Sequence, residues 1–203
     1  PLKYFNSAYY QTQHADSDKV VVTARGQIAL SQTGKQRLVQ INTPANSRSR
    51  EAVLSKDGKW VYAINDQSGE QEIWRFAADG SAEAKQLTTG SGQHRWQLSL
   101  SPDGNMLAHD DKNGDLWLLS LQSGENKKNY SGGIGLSEYN DLTWSTDSQL
   151  LSFSFNGAHS ERSAVVLYNL ADKQSAVITS DKYESYAPAF SSDGLWLYFV
   201  TFD

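Results

Sequence analysis

One phrase returns four times in this 203-residue chain. Leu54-Ser55-Lys56-Asp57-Gly58-Lys59-Trp60-Val61-Tyr62 recurs as Leu100-Ser101-Pro102-Asp103-Gly104-Asn105-Met106-Leu107-Ala108. It recurs again as Trp144-Ser145-Thr146-Asp147-Ser148-Gln149-Leu150-Leu151-Ser152, and then as Phe190-Ser191-Ser192-Asp193-Gly194-Leu195-Trp196-Leu197-Tyr198. The aspartates at 57, 103, 147 and 193 are spaced by 46, 44 and 46 residues. A fixed period of about 40–50 residues is the mark of propeller blades built from four strands each. In such an architecture function belongs to the assembled blades rather than to any single local motif.

Within one period the residue types spell four strands and three turns. Residues 50–54 read as a strand, and Asp57-Gly58 as a tight hairpin, because Gly accepts positive φ and Asp bonds its own local backbone. Residues 60–64, rich in aromatic and β-branched types, read as its partner strand. Residues 72–76 alternate polar and apolar as a third strand, and 85–88 form an outer fourth. The next period repeats this at 96–100, 107–109, 116–120 and 127–131, and the one after at 141–144, 150–155, 164–169 and 175–179. The first period is degenerate, with strands at 20–24, 27–31 and 37–41 and an inner strand at 7–11. The last holds only 186–190 and 195–201. The expected fold is all-β: a single partial β-propeller of about four and a half blades, at roughly 1–43, 44–89, 90–132, 133–180 and an incomplete 181–203. It is expected to be a piece of a larger propeller of six or seven blades, since it begins Pro1-Leu2-Lys3 without Met and the last strand, Leu195-Trp196-Leu197-Tyr198-Phe199-Val200, would leave an apolar edge open to self-association.

Composition removes several function classes. Six Trp, ten Tyr and seven Phe supply a core despite a polar average, which argues against disorder. A formal charge of −5 without a basic cluster gives no support to nucleic-acid binding. No apolar run reaches the ~20 residues of a membrane helix. There is no Cys, so disulfides and thiolate metal sites are excluded.

The ordered series of motifs resembles a family. Asp-Gly turns at this period are shared by the propellers of TolB-like proteins, dipeptidyl-peptidase-IV-like peptidases and tricorn proteases. Val22-Thr23-Ala24-Arg25-Gly26-Gln27-Ile28, then Thr43-Pro44 and Arg48-Ser49-Arg50-Glu51, resemble the tricorn pattern in particular. So do Ser68-Gly69-Glu70-Gln71-Glu72-Ile73-Trp74, Ala78-Asp79-Gly80-Ser81, Gln86-Leu87-Thr88, Asp111-Lys112-Asn113-Gly114-Asp115-Leu116-Trp117, Tyr139-Asn140-Asp141-Leu142-Thr143-Trp144-Ser145, Tyr186-Ala187-Pro188-Ala189-Phe190 and Leu197-Tyr198-Phe199. Lys56 stands where that pattern has Pro, and Ser148 where it has Gly. The resemblance runs from about Val20 onward and corresponds to the second of two propellers. It implies a non-catalytic portion of a serine peptidase whose Ser-centred site lies downstream, with peptides and other domains of the parent protein as partners. It implies a cytoplasmic location, a periplasmic one being the alternative. A TolB-like interaction propeller and the propeller of a dipeptidyl-peptidase-IV-like enzyme remain alternative readings, because fold likeness does not assign function.

Candidate sites follow from position. His14, His94, His109 and His159 are scattered and read as solvated or hydrogen-bonded turn residues, not zinc ligands. Asp111-Lys112-Asn113-Gly114-Asp115 has oxygen donors at alternate places, but Gln122 stands where a calcium loop needs Glu, so it reads as a hairpin turn. No metal or cofactor is therefore expected. Ser131-Gly132-Gly133-Ile134-Gly135 lacks the Lys-Ser/Thr of a phosphate loop and reads as a connection between blades. No Gly-x-Ser-x-Gly elbow occurs, so no catalytic residue is assigned. Asp110 and Asp111 read as turn acids, and Trp60, Trp74, Trp117, Trp144 and Trp196 as packing residues inside strands. Connections entering each inner strand reach the channel mouth of a propeller. Arg48, Arg50, His94, Arg95, Tyr139, Tyr183 and Tyr186 occupy that place, with cations and aromatics suited to a peptide carboxylate or backbone. Asp57, Asp103, Asp147 and Asp193 are assigned as structural turn anchors.

Overall fold

The repeated Ser-x-Asp phrase closes on itself as a hydrogen-bonded clamp. Ser55 Oγ donates to Asp57 Oδ1 at 2.6 Å, the same oxygen accepts Lys59 N–H at 3.0 Å, and Trp60 N–H donates to Ser55 Oγ at 2.9 Å. The clamp recurs through Ser101 and Asp103, Ser145 and Asp147, and Ser191 and Asp193, each with the hydroxyl 2.5 Å from the carboxylate. It orients the chain reversal that joins the first and second strands of a sheet. The third residue of each reversal takes positive φ: Gly58 at 68°, Gly104 at 78° and Gly194 at 72°. Ser148 takes the same conformation at 62°, and its hydroxyl accepts the backbone N–H of Asp103 at 3.0 Å. The departure from Gly thus adds a bond to the preceding clamp.

The computed structural model describes residues 10–14, 19–32, 38–90, 92–131, 140–156, 162–180 and 182–202. All their regular structure is β. β1 (Tyr10–His14), β2 (Lys19–Ala24), β3 (Gln27–Gln32) and β4 (Val39–Gln40) form one sheet in chain order. β5 (Ser49–Leu54), β6 (Trp60–Asn65), β7 (Glu72–Ala77) and β8 (Lys85–Gln86) form the next. β9 (Arg95–Leu100), β10 (Met106–Asp111), β11 (Asp115–Ser120) and β12 (Asn126–Ser131) form a third, and β13 (Asn140–Trp144), β14 (Leu150–Asn156), β15 (Ser163–Asn169) and β16 (Ser175–Val177) a fourth. β17 (Glu184–Phe190) pairs with β18 (Leu197–Phe202) alone among the described residues. These antiparallel meanders are the blades of a partial β-propeller.

The chain divides into two compact units, Pro1–Leu98 and Ser99–Asp203. The first is built on Val21, Ile28, Leu54, Val61 and Phe76, and the second on Leu116, Trp144, Leu151, Phe153 and Tyr168. In each, one sheet lays its apolar face on its neighbour, which is why the second and third strands are apolar on both sides. Burial of this kind contributes about 25 cal/mol per Å² of apolar surface.

Three inner strands carry a bulge that their composition does not announce. The pairing register shifts between Arg50 and Val53, between Asn140 and Thr143, and between Tyr186 and Ala189. Inside each shift a residue other than Gly takes left-handed φ: Glu51 at 55°, Asp141 at 60° and Ala187 at 53°. Such a residue is held there only by its surroundings. Asp141 Oδ2 accepts Ala187 N–H at 3.2 Å, tying one bulge to the next.

Several local expectations need correction. Asp110 and Asp111 are not exposed turn acids but close β10 with 0% and 5% of their surface accessible. Asp111 Oδ1 accepts Asn113 N–H and Asp115 N–H at 2.9 and 3.2 Å, and its Oδ2 accepts the Trp117 indole N–H at 2.8 Å. His109 is buried within the same strand, stacked parallel to Trp117 with centroids 6.2 Å apart, and its Nε2 is 2.9 Å from Asn126 Oδ1. Trp196 precedes β18 and is 63% exposed, with no third strand to cover it among the described residues. The outer strands β4, β8 and β16 are two or three residues long, shorter than their composition suggested. Residues 7–9, Tyr139, His159 and the 132–135 connection lie outside the described residues.

Candidate functional site

The start of β5 and the turn after β6 lie at the same end of their sheet, opposite the Ser-Asp clamps. Asn65, the last residue of β6, is buried and donates through Nδ2 to Ser47 Oγ at 2.9 Å and Ser49 Oγ at 2.8 Å. Arg48 N–H donates to Asp66 Oδ1 at 2.6 Å, and Asp66 N–H returns to Arg48 O at 3.3 Å. Ser49 N–H donates to Gly26 O at 2.8 Å, which fixes the β2–β3 hairpin against the head of β5. The backbone of Arg48 is thus pinned while its side chain stays exposed.

Arg50 and Arg95 differ in what they touch. The Arg50 guanidinium donates to Gln71 Oε1 and to the Arg95 carbonyl, and lies 3.0 Å from His94 Nε2. For Arg50 to donate there, the Nε2 lone pair must be free, which places the ring proton of a neutral His94 on Nδ1. The His94 ring meets Trp96 edge-on with centroids 4.2 Å apart. Arg95 is 3% exposed and pairs through Nη2 with Glu72 Oε2 at 3.2 Å. Its Nε donates to Gln71 O at 2.9 Å, and Glu72 Oε2 also accepts the Thr88 hydroxyl at 2.5 Å. Arg95 therefore organises the wall, whereas Arg48 and Arg50 border open space.

Two cavities meet at this end. One of about 260 Å³ is lined by Arg48, Ser49, Arg50, Ile64, Asp66, Gln71 and His94. The other, of about 450 Å³, is lined by Thr23, Arg25, Gly26, Arg48, Ser49, Arg50 and Glu51. The structure thus gathers Arg48, Arg50 and His94 in one unit, with Arg95 buried behind them. Tyr183 and Tyr186 belong to the other unit: Tyr183 is 46% exposed, and Tyr186 packs edge-on against Phe202 at 5.8 Å. Among the described residues no cluster of three or more His, Asp or Glu could hold a metal ion.

Sequence reasoning missed Arg25 as a member of the group. Ala24 pairs with Gln27, so Arg25-Gly26 is a two-residue hairpin with φ of 53° and 80°. Turns with both central residues at positive φ favour Asn, Asp or Gly. An Arg in the first place was the available signal.

The family described as the tricorn protease second beta propeller domain matches residues 9–202. The chain belongs to that family. It is 30% identical over 152 residues to tricorn protease homolog 1 of Streptomyces coelicolor, a match covering 71% of this chain and 14% of that protein. It is 23% identical over 203 residues to a tricorn-like protease C-terminal subunit of Sulfurisphaera tokodaii, covering 98% of this chain and 22% of the relative. The chain therefore spans less than a quarter of either relative's length. The crystal structure of the tricorn protease superposes with a TM-score of 0.79 at 17% identity, over 95% of this chain and 19% of that one. A TolB structure from Agrobacterium tumefaciens gives 0.72 at 16% identity, over 96% of this chain and 70% of that one. At these identities both superpositions speak to fold alone. The tricorn-type blades thus carry the paired cavities at the end where inner strands begin.

Proposed function

We propose that this chain is the non-catalytic propeller portion of a tricorn-like serine peptidase and guides peptide substrates toward an active site elsewhere in the parent protein. The observation that carries the reading is the placement of Arg48 and Arg50 on two adjoining cavities, at the end of the sheet where inner strands enter. Guanidinium groups there can hold peptide carbonyls and carboxylates without chemistry of their own. His94 and Gln71 add polar contacts beside them. Membership in the tricorn propeller family ranks this reading above a TolB-like docking role, for which likeness of fold is the support.

The test compares peptide turnover by the parent peptidase with and without Arg48→Trp, a change that fills both cavities. Guiding requires that kcat/KM fall for long peptides while a short amide substrate, small enough to bypass the propeller, is cleaved as before. Equal turnover of long peptides by both proteins would sink the proposal.

A further inference from the structure

We infer that the cavity bounded by Arg25, Arg48 and Arg50 receives a carboxylate group of a peptide; this rests on the peptide-guiding reading above. Three arginines and one acidic residue, Glu51, line this 450 Å³ space. The next acid, Asp66, lines the adjoining cavity and accepts the Arg48 backbone N–H. No ion pair of Arg48 occurs among the described residues, and its side chain is exposed. A planar guanidinium offers two parallel N–H donors to a carboxylate, the pairing its geometry fits best.

The Arg48 side chain leaves a backbone that is already fixed, since Arg48 N–H donates to Asp66 Oδ1 and Arg48 O accepts Asp66 N–H. Arg50 is positioned through its side chain instead, one guanidinium nitrogen being held by Gln71, His94 and the Arg95 carbonyl. Arg25 sits at φ 53°, a conformation that side chains other than Asn, Asp and Gly rarely adopt. Non-Gly residues persist in that region only where the surroundings enforce it, and such enforcement gathers at ligand sites. Here the enforcement is the Gly26 O to Ser49 N–H bond together with the absence of a side chain at Gly26. A Cβ at Gly26 would come within 3.0 Å of Arg48 Cβ and Cγ, so the Arg48 stem lies directly across the turn. The hairpin thereby brings Arg25 beside Arg48 on a rigid support, as a preorganised anion contact requires.

The test is fluorescence anisotropy of the chain with one labelled peptide in three forms at low ionic strength. The first has a free C-terminus and no acidic side chain, the second is its C-terminal amide, and the third is the amide with one internal Glu. A carboxylate site predicts that at least one carboxylate-bearing form binds about tenfold tighter than the neutral amide. Preference for the first names the chain terminus as the source, and preference for the third names the side chain. Arg48→Ala and Arg25→Asn should each abolish the preference. Arg25→Asn should do so with an unchanged or raised melting temperature, because Asn suits the turn. Equal binding of all three forms would overturn the carboxylate site while leaving peptide guidance standing. Failure of every form to bind would overturn guidance itself. A preference that survives both variants, or displacement by inorganic phosphate but not by acetate, would also overturn the inference.

Discussion

The Asp111 carboxylate accepts the indole N–H of Trp117 at 2.8 Å, from one strand of a hairpin to the other. Its second oxygen accepts the N–H groups of Asn113 and Asp115, so one buried side chain organises the whole β10–β11 reversal. Asp111→Ala leaves these donors without their acceptor and is expected to cost about 2–3 kcal/mol. Denaturant midpoints measure it, and Trp117 fluorescence should shift in the same variant. A change no larger than that of an exposed turn acid would refute the role.

Arg95 and Glu72 form the second buried relationship that a single substitution should expose. Removing one partner strands a charge in a dry site, and Arg95→Ala or Glu72→Ala is expected to destabilise by about 3–5 kcal/mol. The double variant Arg95→Met with Glu72→Leu should recover much of that loss. Chemical denaturation of all three settles it; additive losses in the double variant would contradict the pairing.

The Ser-Asp clamps predict acid sensitivity with a definite sign. The Ser55, Ser145 and Ser191 hydroxyls, helped by the backbone N–H two residues after each aspartate, hold Asp57, Asp147 and Asp193 below their ordinary pKa of 3.8. Because the folded-state values are depressed, this stabilisation is present above pH 3.8 and is lost as pH falls through the folded values. Replacing all three serines by Ala should flatten the dependence of melting temperature on pH in that acid range. An unaltered profile would mean that the hydroxyls do not set it.

Gly26→Ala tests the hairpin beneath Arg48. The residue takes φ 80°, and a Cβ would meet the Arg48 stem. The expected cost is about 1–3 kcal/mol, with displacement of Arg48 from its cavities. Thermal melting reads the first effect and peptide anisotropy the second. A neutral outcome would show that the turn yields.

The outward edge of β18 should associate. Tyr198 is 59% exposed, Val200 46% and Phe202 51%, on a strand with no outer neighbour among the described residues. Light scattering over a concentration series should show self-association, and Val200→Lys should suppress it. Monomeric behaviour at all concentrations would count against it.

The blades were legible because the Ser-x-Asp turn needs particular side chains within five residues, so its chemistry is written locally. The bulges were not, since Glu51, Asp141 and Ala187 adopt left-handed backbone without the Gly that would announce it. Asp110 and Asp111 read as turn acids, yet both close β10 inside the sheet, and Asp111 bonds within the hairpin to the Trp117 indole. Arg48 and Arg95 are the same residue type, and each occupies the approach to an inner strand. What separates them is a Glu72 that the register of β7 presents to one and not the other. Spacing along the chain carries no such information.

Each clamp is satisfied by a handful of consecutive residues, and this makes the two ends of a blade unequal substrates for change. At the clamp end the Ser-Asp bonds that close each reversal lie within five residues, so a stretch can be exchanged for that of another repeat with few partners to satisfy elsewhere, the Ser148 hydroxyl on Asp103 N–H being one. At the other end, Arg48 answers at once to Gly26 and to Asp66, which lie 22 residues before it and 18 after it. Innovation in such a molecule can therefore proceed on one surface as interchangeable parts, while the opposite surface alters only through coordinated substitutions.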